Sequence, residues 1–201
     1  MWVILVAYLL GSIPSSYIIA RINGGIDIRD EPDGKISAAT VYRRVGLTSF
    51  LVAVIMDIGK TALAVMIAQW IKASPEIVLL SGLCAIAGHQ WSVFIRFQGG
   101  MGATAIGGVL FTVVTVPTLI GGTVAGLLMW RTRKSTFSYV TGVLIVFGII
   151  LALQWSQVSP PPIFLVFPPS PLLVAYPLIL LLMMVIKAMQ IKYRPGTIIK
   201  G

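Results

Sequence analysis

Residues 103–130 read A-T-A-I-G-G-V-L-F-T-V-V-T-V-P-T-L-I-G-G-T-V-A-G-L-L-M-W, and the way this apolar run meets a bilayer decides the architecture. About twenty apolar residues cross a hydrocarbon core as a helix. This run exceeds that length, and Pro117 with Gly121-Gly122 interrupts its middle. Five further apolar stretches flank it, at 1–20, 47–71, 77–97, 137–155 and 172–186. The first begins without a basic residue and lacks a small-x-small cleavage site, so it reads as a retained span and not as a removed signal peptide.

The composition agrees. Of 201 residues 57% are hydrophobic and 10% charged, with a mean hydropathy of +0.96. A soluble domain carries about 25% charged residues, and a disordered chain needs low hydrophobicity, so both classes are excluded. Cys84 is the single cysteine, which rules out an intramolecular disulfide framework. The net charge of +9 would suggest nucleic acid on a soluble protein. On a membrane protein it reports cytoplasmic loops and anionic headgroups instead.

Basic residues mark the cytoplasmic side. Residues 23–46 hold Arg29, Lys35, Arg43 and Arg44, which places that loop inside and the N-terminus outside. If 103–130 crossed once, Arg131, Arg133 and Lys134 would fall outside, together with the tail bearing Lys192, Arg194 and Lys200. If it doubles back as two short helices turning near residues 117–122, each of these groups falls inside. Short halves of this kind must pack within protein, where their backbone polar groups find partners. The expectation is a single all-α membrane domain over 1–201, with about seven transmembrane or partly spanning helices, N-terminus outside and C-terminus cytoplasmic. The polar segments 23–46, 96–104, 131–136 and 187–201 then gather at one cytoplasmic mouth.

Within that mouth a few residues carry chemistry. The 23–46 loop mixes glycines with Arg and Lys, a composition that suits either anion binding or a solvated loop that sets topology. Gly99, Gly100 and Gly102 precede an apolar run. They suit a nest for phosphate or an oxyanion at a helix start, or close helix packing. His89, the only histidine, suits a general base or an interhelical hydrogen bond. Asp57 and Lys60 lie one turn apart within a span, as an internal ion pair or with Lys60 beside an anionic ligand.

In order and spacing, these pieces resemble the integral-membrane glycerol-3-phosphate acyltransferases that use acyl phosphate, the PlsY family. Tyr8-Leu9-Leu10-Gly11-Ser12-Ile13-Pro14 matches the family start Y-L-L-G-S-I-P. Asp27-Ile28-Arg29 and Arg43 match its first loop, and Asp57 with Lys60 its D-x-x-K. Gly88-His89-x-x-Ser92-Val93-Phe94-x-x-Phe97-x-Gly99-Gly100-x-Gly102 follows G-H-x-x-P-V-F-x-x-F-K-G-G-K-G. Departures fall on polar letters: Asp33, Lys35 and Thr40 replace a serine and two asparagines, and Gln98 and Met101 replace two lysines. Residues 187–191, placed on the family's H-x-x-N-I, carry Lys187 and Gln190.

The resemblance implies acyl transfer from a fatty acyl phosphate to the sn-1 hydroxyl of glycerol 3-phosphate, giving lysophosphatidate in phospholipid synthesis at the cytoplasmic face of a bacterial inner membrane. It implies His89 as catalytic, and Ser12, Arg29, Arg43, Lys60, Gly99, Gly100 and Gly102 as substrate-binding. Lys35 and Lys187 join these on charge alone, as relocated cations. No cofactor, metal or nucleic acid is expected. The substituted letters also fit a catalytically inactive relative that binds lipid or a partner enzyme, and more distantly a small transporter.

Overall fold

The structure, a computed structural model, describes residues 2–31, 36–132, 134–156, 161, 166 and 170–192. Among these it is all-helical. The helices are α1 (Trp2–Ser12), α2 (Ser15–Gly24), α3 (Ala38–Arg44), α4 (Leu47–Trp70), α5 (Pro75–Gln90), α6 (Ala103–Val113), α7 (Thr115–Thr132), α8 (Ser135–Ser156) and α9 (Pro171–Lys192). Taking α1 with α2 as one broken span and setting α3 aside leaves seven helical segments, as the charge pattern predicts. Five are long and apolar enough to cross a membrane: 2–24, 47–70, 75–95, 136–156 and 171–192. Leu5, Ile55, Leu127 and Leu182 are exposed on their helices, as lipid-facing positions are.

The chain forms two compact units, residues 1–108 with 184–201, and residues 109–183. In the first, α1 lies against α5 and both lie against α4. Small residues set this packing. A Cβ on Gly11 would collide with the Ala85 carbonyl, and one on Gly88 with the Tyr8 carbonyl. Backbones that close are the hallmark of small-residue helix contacts in membranes. Pro14 separates α1 from α2, since its ring supplies no N–H to continue the ladder. Gly25 ends α2 at φ 65°, a left-handed cap that favours glycine.

Residues 25–31 and 36–46 do not form a free solvated loop. A 3₁₀ turn at Ile28–Asp30 and the short helix α3 fold back onto α2 and α4. Ile28, Ile36, Val41 and Ala53 form a buried cluster beneath them. Ser37 caps α3 by accepting from the Thr40 N–H, as a serine N-cap does.

In the second unit α7 packs along α8, with Gly121 and Gly142 backbone to backbone. The 103–130 run is two helices, but the break falls at Val114 and not near 117–122. Pro117 sits in the first turn of α7. The amide positions there have no intrahelical acceptor to lose, so the ring is accommodated without a break. Gly121 and Gly122 lie inside α7, where Gly121 serves packing. The tail also differs from expectation, because residues 187–192 are the last turns of α9.

Replacing Gly11 by alanine forces α1 off α5 and costs about 1–3 kcal/mol. Gly59, with nothing near its Cβ position, tolerates the same change. Thermal unfolding of both variants in detergent should show a lower midpoint for Gly11→Ala alone.

Candidate functional site

The chain breaks between α1 and α2 at Ile13-Pro14, which leaves a carbonyl without its helical partner. Lys60, one turn along α4 from Asp57, fills that need. Its ammonium donates to the Ile13 carbonyl at 2.5 Å and to Ser15 Oγ at 3.3 Å. It also stands 2.9 Å from Asp57 Oδ1. Both side chains are buried, Lys60 at 8% exposed and Asp57 at 2%. Thr104, in the first turn of α6, donates to Asp57 Oδ2 at 3.1 Å, and Thr61 ties α4 to the Ala105 carbonyl at 2.9 Å. The ion pair thus joins α1, α2, α4 and α6.

His89, near the end of α5, turns Nδ1 towards Asp57 Oδ1 at 3.5 Å. The other face of its ring meets the glycine loop. Beyond α5 the chain makes a 3₁₀ turn at Val93–Ile95, and then two non-glycine residues, Arg96 and Phe97, take left-handed φ values of 55° and 61°. Such backbone strain persists only where surroundings over-determine it. Here the Phe97 N–H is held by the Ser92 carbonyl at 2.7 Å. The strained turn swings the glycines back over α5. Gly100 N–H donates to the His89 carbonyl at 3.1 Å, and a Cβ on Gly100 would press on His89 Nε2 and the Ile36 carbonyl. Gly102, at φ 94°, lies over Gln90, whose amide donates to the Met101 carbonyl at 3.0 Å.

These groups form a small pocket, partly open to solvent, lined by Pro14, Ser15, Ser16, Ile36, Asp57, Lys60, His89, Ser92, Ile95, Gly99 and Gly100. The structure therefore brings His89, Lys60, Gly99 and Gly100 to one place. Gly102 supports the loop from outside the lining. Ser12 is buried, and its hydroxyl donates to the Tyr8 carbonyl at 2.8 Å, within its own helix. Its carbonyl accepts from Ser92 at 2.5 Å. Arg29 and Arg43 do not line the pocket. The Arg29 guanidinium is bidentate on Asp27, at 2.9 and 2.6 Å, and lies 4.9 Å from the centre of the Tyr17 ring. The hydrogen bonds from Arg29 hold the Asp27 carboxyl down at about 2. Arg43 is exposed on α3 and donates to Thr40 Oγ1 at 3.3 Å. Lys187, on α9, is buried at 6% exposure with its ammonium 5.4 Å from the centre of the Trp91 ring. Gln190 accepts from the same indole at 2.9 Å. Lys35 lies outside the described residues.

Set against known proteins, residues 1–196 match the glycerol-3-phosphate acyltransferase family. The chain belongs to this family. It is 34% identical over 164 residues to the glycerol-3-phosphate acyltransferase of Roseiflexus sp. (strain RS-1), covering 82% of this chain and 80% of that one. To glycerol-3-phosphate acyltransferase 2 of Moorella thermoacetica it is 41% identical over 112 residues, 55% of this chain and 57% of the relative. With several such relatives the chain spans only about half of their length. The fold is that of the integral membrane glycerol 3-phosphate acyltransferase PlsY (YgiH). The crystal structure of its glycerol 3-phosphate form superposes with a TM-score of 0.78 at 23% identity, over 96% of this chain and 90% of that one. Its lysophosphatidic acid form gives 0.73 at 22%. The chain is thus a multi-pass integral membrane protein of the family fold.

Sequence reasoning named Asp57, and Ser92 as a motif letter, without placing either among the site residues, and it gave no role to Ser15, Ser16 or Thr104. The available signal was Pro14. A proline that ends one membrane helix and starts another exposes backbone groups at the break, and the serines after it stand where those groups face inward.

Lys60→Met should destabilise the fold by about 3–5 kcal/mol, since it strands a buried carboxylate and removes one of the two donors to the Ile13 carbonyl, leaving the Ser15 N–H. Adding Asp57→Asn should recover part of the loss. Denaturation of the single and double variants in detergent measures both.

Proposed function

We propose that this chain transfers a fatty acyl group from acyl phosphate to the sn-1 hydroxyl of glycerol 3-phosphate. The observation that carries the reading is the placement of His89 between a buried carboxylate and the glycine loop, in a family that bears this activity's name. In the step, the hydroxyl oxygen attacks the acyl carbonyl carbon, the bond from that carbon to the phosphate oxygen breaks, and inorganic phosphate leaves. Phosphate is a good leaving group, so the protein's main contribution is to hold the reactants together. His89 turns Nδ1 towards Asp57, which leaves Nε2 on the loop side to accept the hydroxyl proton. Backbone N–H groups of the 99–102 loop other than that of Gly100, which the His89 carbonyl holds, supply donors for the developing oxyanion. Lys60 offsets the Asp57 carboxylate in the pocket while it donates to the Ile13 carbonyl. Arg29, Arg43, Ser12, Lys35 and Lys187 belong to this reading through resemblance or charge, as contacts for phosphate around the mouth.

The active face is the cytoplasmic side of a bacterial inner membrane, with the N-terminus outside. Arg29, Arg43, Arg44, Arg131 and Lys134 support this orientation through the preference of basic residues for the inside. Exposed Trp2, Trp70, Trp155 and Trp130 lie at or near ends of their helices, where interfacial aromatics anchor a span.

Purified protein in detergent, given palmitoyl phosphate and radiolabelled glycerol 3-phosphate, should yield labelled lysophosphatidate. His89→Ala should slow this by about 10²- to 10⁴-fold, the range for loss of a general base. Gly100→Ala should also fall sharply, because its methyl occupies the space beside Nε2, and Arg43→Ala should raise KM for glycerol 3-phosphate. No product from folded wild-type protein across several acyl lengths would remove the reading in favour of a non-catalytic member.

The orientation has its own test. Single cysteines at residue 43 and at residue 74, in a Cys84→Ala background, should be labelled by impermeant maleimide only from opposite faces of sealed vesicles, with residue 43 inside.

A further inference from the structure

Among the described residues, six buried side-chain polar atoms lack a hydrogen-bond partner, and three of them belong to residues that line the pocket: Ser16 Oγ, His89 Nδ1, and Asp57 Oδ1, which has the Lys60 ammonium at 2.9 Å as its ion-pair partner. The last two face each other. Ser16 has no such counterpart, although it is only 5% exposed. A buried hydroxyl left unmatched costs free energy, so the pocket wall is incomplete without a polar occupant. Ser16 also stands in the first turn of α2, a helix with no side-chain cap. Its opening amides and the positive end of its dipole therefore attract negative charge. The Lys60 ammonium is beside it, on Ser15 Oγ. Asp57 opposes an anion here, but its carboxylate is matched by Lys60 and Thr104.

We propose that Ser16 is a ligand-binding residue whose hydroxyl, with the uncapped first turn of α2, receives a phosphoryl group in the pocket beside Lys60. The carrier of that group rests on the acyl-transfer reading, and it is either the acyl phosphate or glycerol 3-phosphate.

Calorimetric titration of the full chain in detergent tests this with three probes: inorganic phosphate, glycerol 3-phosphate and a long-chain acyl phosphonate. Ser16→Ala should weaken binding by about tenfold or more, the value of a hydrogen bond to a charged group, and Ser16→Thr should restore it. A loss confined to the phosphonate assigns the group to the donor, and one confined to glycerol 3-phosphate assigns it to the acceptor. Unchanged affinity for all three probes in folded Ser16→Ala overturns the proposal, as does a wild-type chain that binds none of them. If Ser16→Ala does not fold, Ser16→Cys in a Cys84→Ala background gives a second readout. Phosphate should protect that thiol from methanethiosulfonate, and equal labelling with and without phosphate counts against the proposal. Binding that depends on Ser16 without lysophosphatidate formation would keep this inference and remove acyl transfer.

Discussion

Lys60 is a cation inside a membrane helix, and the first unit is arranged around its charge. An ammonium cannot remain in an apolar interior without acceptors, and it finds three: a carboxylate on its own helix, a serine hydroxyl and the carbonyl exposed by the Pro14 break. Each acceptor depends on a different element. The break after α1 provides the carbonyl, α2 provides Ser15, and α4 provides Asp57, whose carboxylate α6 steadies through Thr104. Removing any one would leave a buried charge or dipole unmatched, so the three helices hold a common geometry and the pocket inherits it.

That geometry explains why His89 is suited to chemistry although it lies near the end of an apolar helix. Asp57 is pinned by two partners before the imidazole approaches, so the carboxylate acts as a fixed reference for the ring. The strained turn at Arg96 and Phe97 then lays the glycine loop against the other side of the ring. Alanine at Gly99 or Gly100 would meet backbone or imidazole atoms. The glycines are there because the loop runs in contact with α5.

Much of this was legible in the sequence, and the reasons differ from part to part. The spans were readable because lipid imposes a length and an apolar composition on each helix separately. Asp57 with Lys60 was readable as a pair because three residues make almost one helical turn. The partners that give the pair its purpose, Ile13 in the break after α1 and His89 on α5, lie on other parts of the chain, and no local spacing points to them. Pro117 was misread because proline signals a break only in a helix interior, and its position in the first turn depends on where the helix begins. The 23–46 segment reads as solvated by composition, yet Ile28, Ile36 and Val41 are enough to anchor its described residues. Arg29 looked like a phosphate contact and is engaged by Asp27 two residues before it. Ser16 gave no signal, since a serine beside another serine is unremarkable until its burial is known.

The contact between α1 and α5 bears on how a lipid-borne substrate travels. Gly11 rests on the Ala85 backbone and Gly88 on that of Tyr8, one helical turn apart on α5 in the half nearest the pocket. Packing at backbone distance leaves no seam wide enough for a methylene chain. Passage from the bilayer is therefore barred on that flank, and on the proposed acyl-transfer reading the acyl tail must approach the pocket from another side of the first unit.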